Sequence, residues 1–92
     1  MSQKRVQAFF WGRVQGVGFR ATTDRLAEEF VVTGVIKNLP DGRVQLIAEG
    51  EESELEKFLQ KIRKSFLSRY IEGVEVHWLE ASLEFQKFAI GY

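Results

Sequence analysis

The sequence predicts an α+β sandwich of order βαββαβ with a short extra C-terminal strand, its two helices on one face of an antiparallel sheet. Three observations carry this. Apolar residues recur at spacings of three and four in two stretches, about 21–31 and 51–66, which gives each stretch one helical stripe to bury. Elsewhere they alternate with polar residues, the period of a strand with one face in the core. Glycine or proline punctuates the joins. Ninety-two residues, 45% of them hydrophobic, suffice for one core and not for two, so residues 1–92 read as a single domain.

In chain order, Val6, Ala8 and Phe10 alternate with Gln7, Phe9 and Trp11 in a first strand; Phe9 and Trp11 fall on its less covered face. Leu26, Ala27 and Phe30 make the stripe of a first helix over about 21–31, with Thr22, Thr23 and Asp24 placed to satisfy its first-turn N–H groups. Val31 and Val32 continue a helix poorly, and Gly34 breaks it, so Thr33 to Asn38 is the second strand. Leu39-Pro40-Asp41-Gly42 is turn chemistry, which returns Arg43 to Glu49 as an antiparallel third strand with Val44, Leu46 and Ala48 inward.

Gly50 is read as the close of that hairpin. Acidic residues at 51, 52 and 54 open a second helix, with Leu55, Phe58, Leu59, Ile62 and Phe66 as its stripe and basic residues toward its far end. Leu67 to Glu72 reads as an irregular connection, Val74 to Leu79 as a fourth strand and Phe85 to Ile90 as a short fifth strand at an edge. Each helix has one stripe to bury, so both pack on one face of the sheet, the ferredoxin-like architecture.

Composition excludes several classes of function. Thirteen basic and thirteen acidic residues cancel and neither sign is blocked, so there is no broad field for nucleic acid or an anionic membrane surface. The absence of cysteine removes disulfides, a thiolate nucleophile and cysteine-ligated metal. The apolar run before Gly12 is too short for a membrane span or signal peptide. A cytoplasmic location and a monomer are expected. One histidine, His77, lies far in sequence from any loop partner and is read as structural, and the glutamates do not converge. A Ser-His-Asp triad, a metal-carboxylate cage and a two-carboxylate mechanism are therefore unsupported.

The remaining chemistry sits in Gly12-Arg13-Val14-Gln15-Gly16-Val17-Gly18-Phe19-Arg20, where a strand meets a helix through three glycines. Glycines admit left-handed backbone and close approach to a ligand, and a helix start adds unpaired N–H groups and a positive dipole. Arg20 supplies a planar guanidinium able to grip two oxygens of one anion. The spacing is neither the dinucleotide fingerprint nor a P-loop, so a single small anion is expected over Gln15, Gly16, Val17, Gly18 and Phe19.

These nine residues resemble the first signature of the acylphosphatase family, and Gly34-Val35-Ile36-Lys37-Asn38, followed by Asp41-Gly42-Arg43-Val44 and Gly50, resembles its second. The resemblance spans nearly the whole chain. It implies a hydrolase that cleaves acyl phosphates to carboxylate and phosphate without metal or cofactor, with inorganic phosphate as product and inhibitor. It further implies that Arg20, with the 15–19 loop, binds the phosphoryl group and that Asn38 orients the attacking water. Such a reaction needs little beyond positioning and charge stabilisation, because its transition state is loose and its leaving group good. Departures from the family pattern fall at Phe10, at Val35 and Ile36, and at Phe30-Val31-Val32, which the strand and helix pattern makes packing positions. Two other readings compete: a non-catalytic anion-binding or regulatory domain, since this fold hosts many functions, and single-stranded RNA stacked on Phe9 and Trp11, which neutral charge disfavours.

Overall fold

The computed structural model describes residues 2–92. Strands β1 (Gln3–Gly12), β2 (Val32–Asn38), β3 (Val44–Glu51), β4 (Ile71–Glu80) and β5 (Phe88–Ile90) form one sheet of order β4-β1-β3-β2-β5, with helices α1 (Phe19–Ala27) and α2 (Glu52–Lys64) packed on it. The first four strands pair antiparallel, and β5 adds a parallel edge against β2, Gly34 to Ile36 opposite Phe88 to Ile90. The sheet is therefore mixed at that edge.

The inward residues expected from the alternation are the core. Val6, Ala8, Phe10, Val44, Leu46 and Ala48 are fully buried from β1 and β3, under Leu55, Phe58 and Ile62 of α2. Phe19 at the head of α1 packs on Phe10 with ring centroids 5.1 Å apart, and Phe58 meets Phe30 at 5.7 Å and Phe88 edge-on at 5.5 Å. Phe10, a departure from the family pattern, is thus a central core ring, and Ile36 is likewise fully buried.

Five features differ from the sequence reading. Helix α1 starts at Phe19 because Gly18, at φ 79°, ψ 21°, serves as its N-cap. Thr22 and Thr23 consequently sit inside the helix and buried, and cap nothing. The helix ends at Ala27, where Glu29 and Phe30 donate to the carbonyls of Leu26 and Ala27 at 3.0 and 3.1 Å, three-residue closures that tighten the last turn. Gly50 does not close a hairpin: it lies within β3 opposite Lys4 and Val32, and β3 runs straight into α2. A side chain there would meet the Val31 carbonyl at 2.7 Å, so the strand neighbour, not a turn, requires glycine. The link after α2 is a 3-10 segment, Phe66–Tyr70, started by Ser65, whose hydroxyl accepts from the Leu67 N–H. Strand β4 follows it at once. Of the expected 85–90 strand only Phe88–Ile90 pairs. No helix among the described residues is long and apolar enough to cross a membrane.

Candidate active site

The loop leaves the sheet at Gly12. Its φ of 124° and the Tyr70 carbonyl, which would lie 2.5 Å from any Cβ, admit only glycine, and the Arg13 N–H donates to that same carbonyl at 2.9 Å. Val14 is fully buried and plugs the loop into the core. Beyond it Gly16 and Gly18 take left-handed φ of 80° and 79° with nothing within 4 Å of either, so they are needed for backbone conformation and leave the loop open above. The Thr22 N–H closes the first helical turn on the Gly18 carbonyl at 2.9 Å. Among the described residues, the main-chain N–H groups of residues 15–21 find no main-chain acceptor. Left-handed glycines beside a helix start with unused donors are the elements of an anion nest.

A cavity of about 220 Å³ opens here, lined by Val14, Gly16, Gly18, Phe19, Arg20, Ala21, Asn38, Ile90 and Tyr92. The structure thus brings together Arg20, Asn38, Gly16, Gly18 and Phe19, from two segments some twenty residues apart. No lining residue carries an acidic side chain, and Arg20 carries a positive one. Gln15 and Val17 flank the cavity without lining it. The Gln15 side chain faces the β2–β3 hairpin instead: Nε2 donates to the carbonyls of Leu39 at 2.8 Å and Arg43 at 3.0 Å. The Gln15 amide thus fastens the loop to the hairpin that follows Asn38, and its main-chain N–H finds no main-chain acceptor among the described residues.

That hairpin is itself closed tightly. Leu39 N–H donates to the Arg43 carbonyl at 2.8 Å, and Gly42 N–H to the Leu39 carbonyl at 3.1 Å. Asp41 accepts from the Arg43 N–H at 3.0 Å and meets its Nε at 2.8 Å. The Arg43 N–H, aided by its guanidinium, holds the Asp41 carboxyl below its ordinary value of 3.8. The Arg43 guanidinium continues over the Phe9 ring at 4.6 Å, and His77 meets Phe9 edge-on at 6.3 Å with Nε2 2.5 Å from Glu75 Oε2. Phe9 and His77 therefore belong to the open sheet face, away from the cavity. Trp11 lies over Gly73, where a Cβ would stand 2.2 Å from its ring.

Arg20 is held in a way the sequence did not disclose. Its Nη1 donates to the Gly91 carbonyl at 3.0 Å, and its guanidinium stands 5.2 Å from the centre of the Tyr92 ring. Ile90, Gly91 and Tyr92 are thus part of the site. A larger open groove, of about 1030 Å³, lies between α2 and β4 against Val76 and Trp78, and it contains none of the loop residues. Among the described residues no three His, Cys, Asp or Glu side chains gather as metal ligands would.

Comparison with known proteins agrees with this geometry. The acylphosphatase family model matches residues 6–90. An acylphosphatase of Lactobacillus gasseri is 40% identical over 82 residues, covering 88% of this chain and 90% of its own. One from Archaeoglobus fulgidus is 41% identical over 87 residues, covering 95% and 97%. The crystal structure of acylphosphatase from Bacillus subtilis superposes with a TM-score of 0.86 at 30% identity, covering 97% of this chain and 99% of that one. A strand-to-helix glycine loop, an arginine at its end, an asparagine facing it across one small cavity and this match along nearly all its length place the chain in the acylphosphatase family.

Proposed function

We propose that this enzyme hydrolyses acyl phosphates in the cavity between residues 15–20 and Asn38, with Arg20 and the loop N–H groups holding the phosphoryl group and Asn38 orienting the attacking water. Its family membership makes it an acyl-phosphate hydrolase; the residue roles are what we add. The observation that carries them is that Arg20, Asn38, Gly16 and Gly18 line one cavity of about 220 Å³. That volume lies below the roughly 300–1,000 Å³ of pockets that enclose drug-sized ligands. It suits a phosphoryl group and one water, with the acyl portion outside.

The chemistry follows from the parts. A guanidinium grips two phosphoryl oxygens at once, and preorganised N–H groups take up the charge that spreads over the equatorial oxygens as the bond to the leaving carboxylate lengthens. The Asn38 amide both donates and accepts, as holding a water in line requires. No Asp, Glu or His side chain lines the cavity to act as base. The water's proton passes to a phosphoryl oxygen of the substrate, and the departing carboxylate needs no acid. Inorganic phosphate is product and competitive inhibitor. We read the enzyme as metal-free, cytoplasmic and monomeric.

Hydrolysis of an aromatic acyl phosphate, measured with and without chelator and beside a simple phosphate monoester, tests the reading. Turnover of the acyl phosphate that chelator leaves unchanged, with the monoester much slower, is expected. No turnover of the acyl phosphate by folded protein that still binds phosphate would leave a non-catalytic anion-binding domain, and activity lost to chelator and restored by magnesium would refute the metal-free mechanism.

A further inference from the structure

Glu49 is the one charged residue buried among the described residues, 2% exposed, and it lies far from the cavity. Its strand partners are Arg5 near the start of β1 and Thr33 near the start of β2, whereas the loop and Asn38 lie at the other ends of those strands. A buried carboxylate is retained only where donors compensate its lost hydration. Here Oε2 accepts from the Ser82 N–H at 2.7 Å and its hydroxyl at 3.1 Å, and Oε1 from the Leu83 N–H at 2.8 Å. Arg5 Nε is 3.0 Å from Oε2, and the same guanidinium meets Glu84 and lies over the Phe85 ring at 5.4 Å. Leu83 adopts a left-handed φ of 61°, which a leucine keeps only where its surroundings hold it. Residues 82–85 therefore converge on Glu49 and Arg5.

The segment they belong to has little slack. Strands β4 and β5 are the opposite edges of the sheet, so the chain must cross four inter-strand gaps of about 4.8 Å, roughly 19 Å. The steps from Glu80 to Phe88 reach roughly 26–29 Å when fully extended, and the Leu83 kink consumes part of that. Glu49 sits in β3, the middle strand, and pins the strap near its midpoint. From there the chain enters β5: the Lys87 carbonyl accepts from Gly34 at 3.0 Å, the Phe88 ring meets Phe58, and the Gly91 N–H reaches the Ile36 carbonyl at 2.8 Å. The next groups are the Gly91 carbonyl and the Tyr92 ring, which hold Arg20.

We propose that Glu49 is a positioning residue for Arg20: by pinning the strap at Ser82 and Leu83 it fixes the placement in which β5 delivers Gly91 and Tyr92 to the guanidinium. This rests on the reading that Arg20 binds the phosphoryl group. Phe88 on Phe58 keeps β5 docked when Glu49 is changed, so the loss falls on the placement of Gly91 and Tyr92.

The test is a cycle read by inorganic phosphate affinity and by kcat and KM on an acyl phosphate. Its members are the full chain, Glu49→Gln, a chain ending at Ile90, and the two changes combined. Alterations along a packed network shift a remote site by about two- to thirtyfold, so Glu49→Gln should weaken phosphate binding within that range while the circular dichroism spectrum stays that of the full chain. In the chain ending at Ile90 it should have no further effect, because the link it acts through is gone. Equal effects in both backgrounds would mean that Glu49 serves the fold alone and would overturn the proposal. If Glu49→Gln does not fold, Ser82→Ala, which removes one donor and leaves the charge, is read in the same cycle with a smaller effect of the same direction. Arg20→Ala separates the two layers. If it abolishes phosphate binding while Glu49→Gln is silent, only this inference fails; if it leaves phosphate binding intact, the reading of Arg20 fails with it.

Discussion

Gln15 joins the two halves of the site, and its removal can be worked through from the contacts it makes. Its amide bonds the Leu39 and Arg43 carbonyls at 2.8 and 3.0 Å. Each carbonyl has a second donor, Gly42 N–H and Leu39 N–H respectively, so Gln15→Ala leaves neither without a partner. The loss is then the net worth of two neutral, exposed hydrogen bonds, at the low end of the usual range: about 1–2 kcal/mol together. If that energy holds Asn38 over the loop, it appears in the chemical step as roughly a 5- to 30-fold fall in kcat. Phosphate affinity changes little, because Arg20 and the loop N–H groups remain. Steady-state kinetics on an acyl phosphate, with inorganic phosphate as competitor, measure both quantities. The decisive comparison adds Asn38→Ala. Once the asparagine is gone its placement no longer matters, so Gln15→Ala should then cost kcat almost nothing further. Full additivity, or an unchanged kcat for Gln15→Ala alone, would refute the idea that the amide positions Asn38.

Arg20→Ala should weaken phosphate binding as well as turnover, and Arg20→Lys should restore little of either, because an ammonium does not reproduce the fork; competitive inhibition by phosphate measures this. Asn38→Ala should keep phosphate affinity and lower kcat by on the order of 10² to 10³, the loss seen when one preorganised polar partner is removed; a folded variant with near-normal kcat removes Asn38 from the mechanism. Gly18→Ala meets no atom within 4 Å but must hold φ 79°, so denaturant titration should show about 1–2 kcal/mol of lost stability from strain alone. Burial pushes the Glu49 carboxyl up, but the Ser82 and Leu83 donors and Arg5 outweigh it and hold its pKa below the ordinary 4.5. Its contribution to stability is therefore complete above about pH 4.5 and is lost as pH falls through the lower folded value. Unfolding midpoints in urea between pH 5 and 3 should fall more steeply for the parent than for Glu49→Gln, and identical slopes would contradict this.

The layers of the fold were legible because periodicity reports burial directly. Val6, Ala8 and Phe10 alternate because a core lies on one side of β1, and Leu55, Phe58, Leu59 and Ile62 recur because α2 presents one stripe to it. Boundaries were less legible because glycine has several uses that look alike in sequence. Gly18 caps a helix, Gly50 lets a neighbouring carbonyl approach inside a strand, and Gly34, at φ 144°, would place a Cβ 2.0 Å from the Ile47 carbonyl. Only the neighbour across the sheet separates these uses, and the neighbour is not adjacent in sequence.

The same distinction governs the site. Arg20 and Asn38 were legible because each sits in a local motif, and βαββ topology brings the end of β2 beside the loop that ends β1. The hold on Arg20 was not, because it depends on the direction of a strand. Residues 85–90 read as extended in either direction, and an antiparallel β5 would have carried Gly91 and Tyr92 to the far end of the sheet, beside Glu49. The strap that crosses from β4 to β5 at that far end makes β5 run parallel to β2, from Phe88 opposite Gly34 to Ile90 opposite Ile36. Gly91 and Tyr92 therefore emerge at the same end as Asn38 and the loop. Glu49 falls on the outward face of β3, where the alternation allows a charge; what the alternation does not foretell is that the crossing strap buries it there, anchored at Ser82 and Leu83. The burial of Glu49 is thus tied to the two contacts of Arg20, with the Gly91 carbonyl and the Tyr92 ring, that the pattern did not reveal.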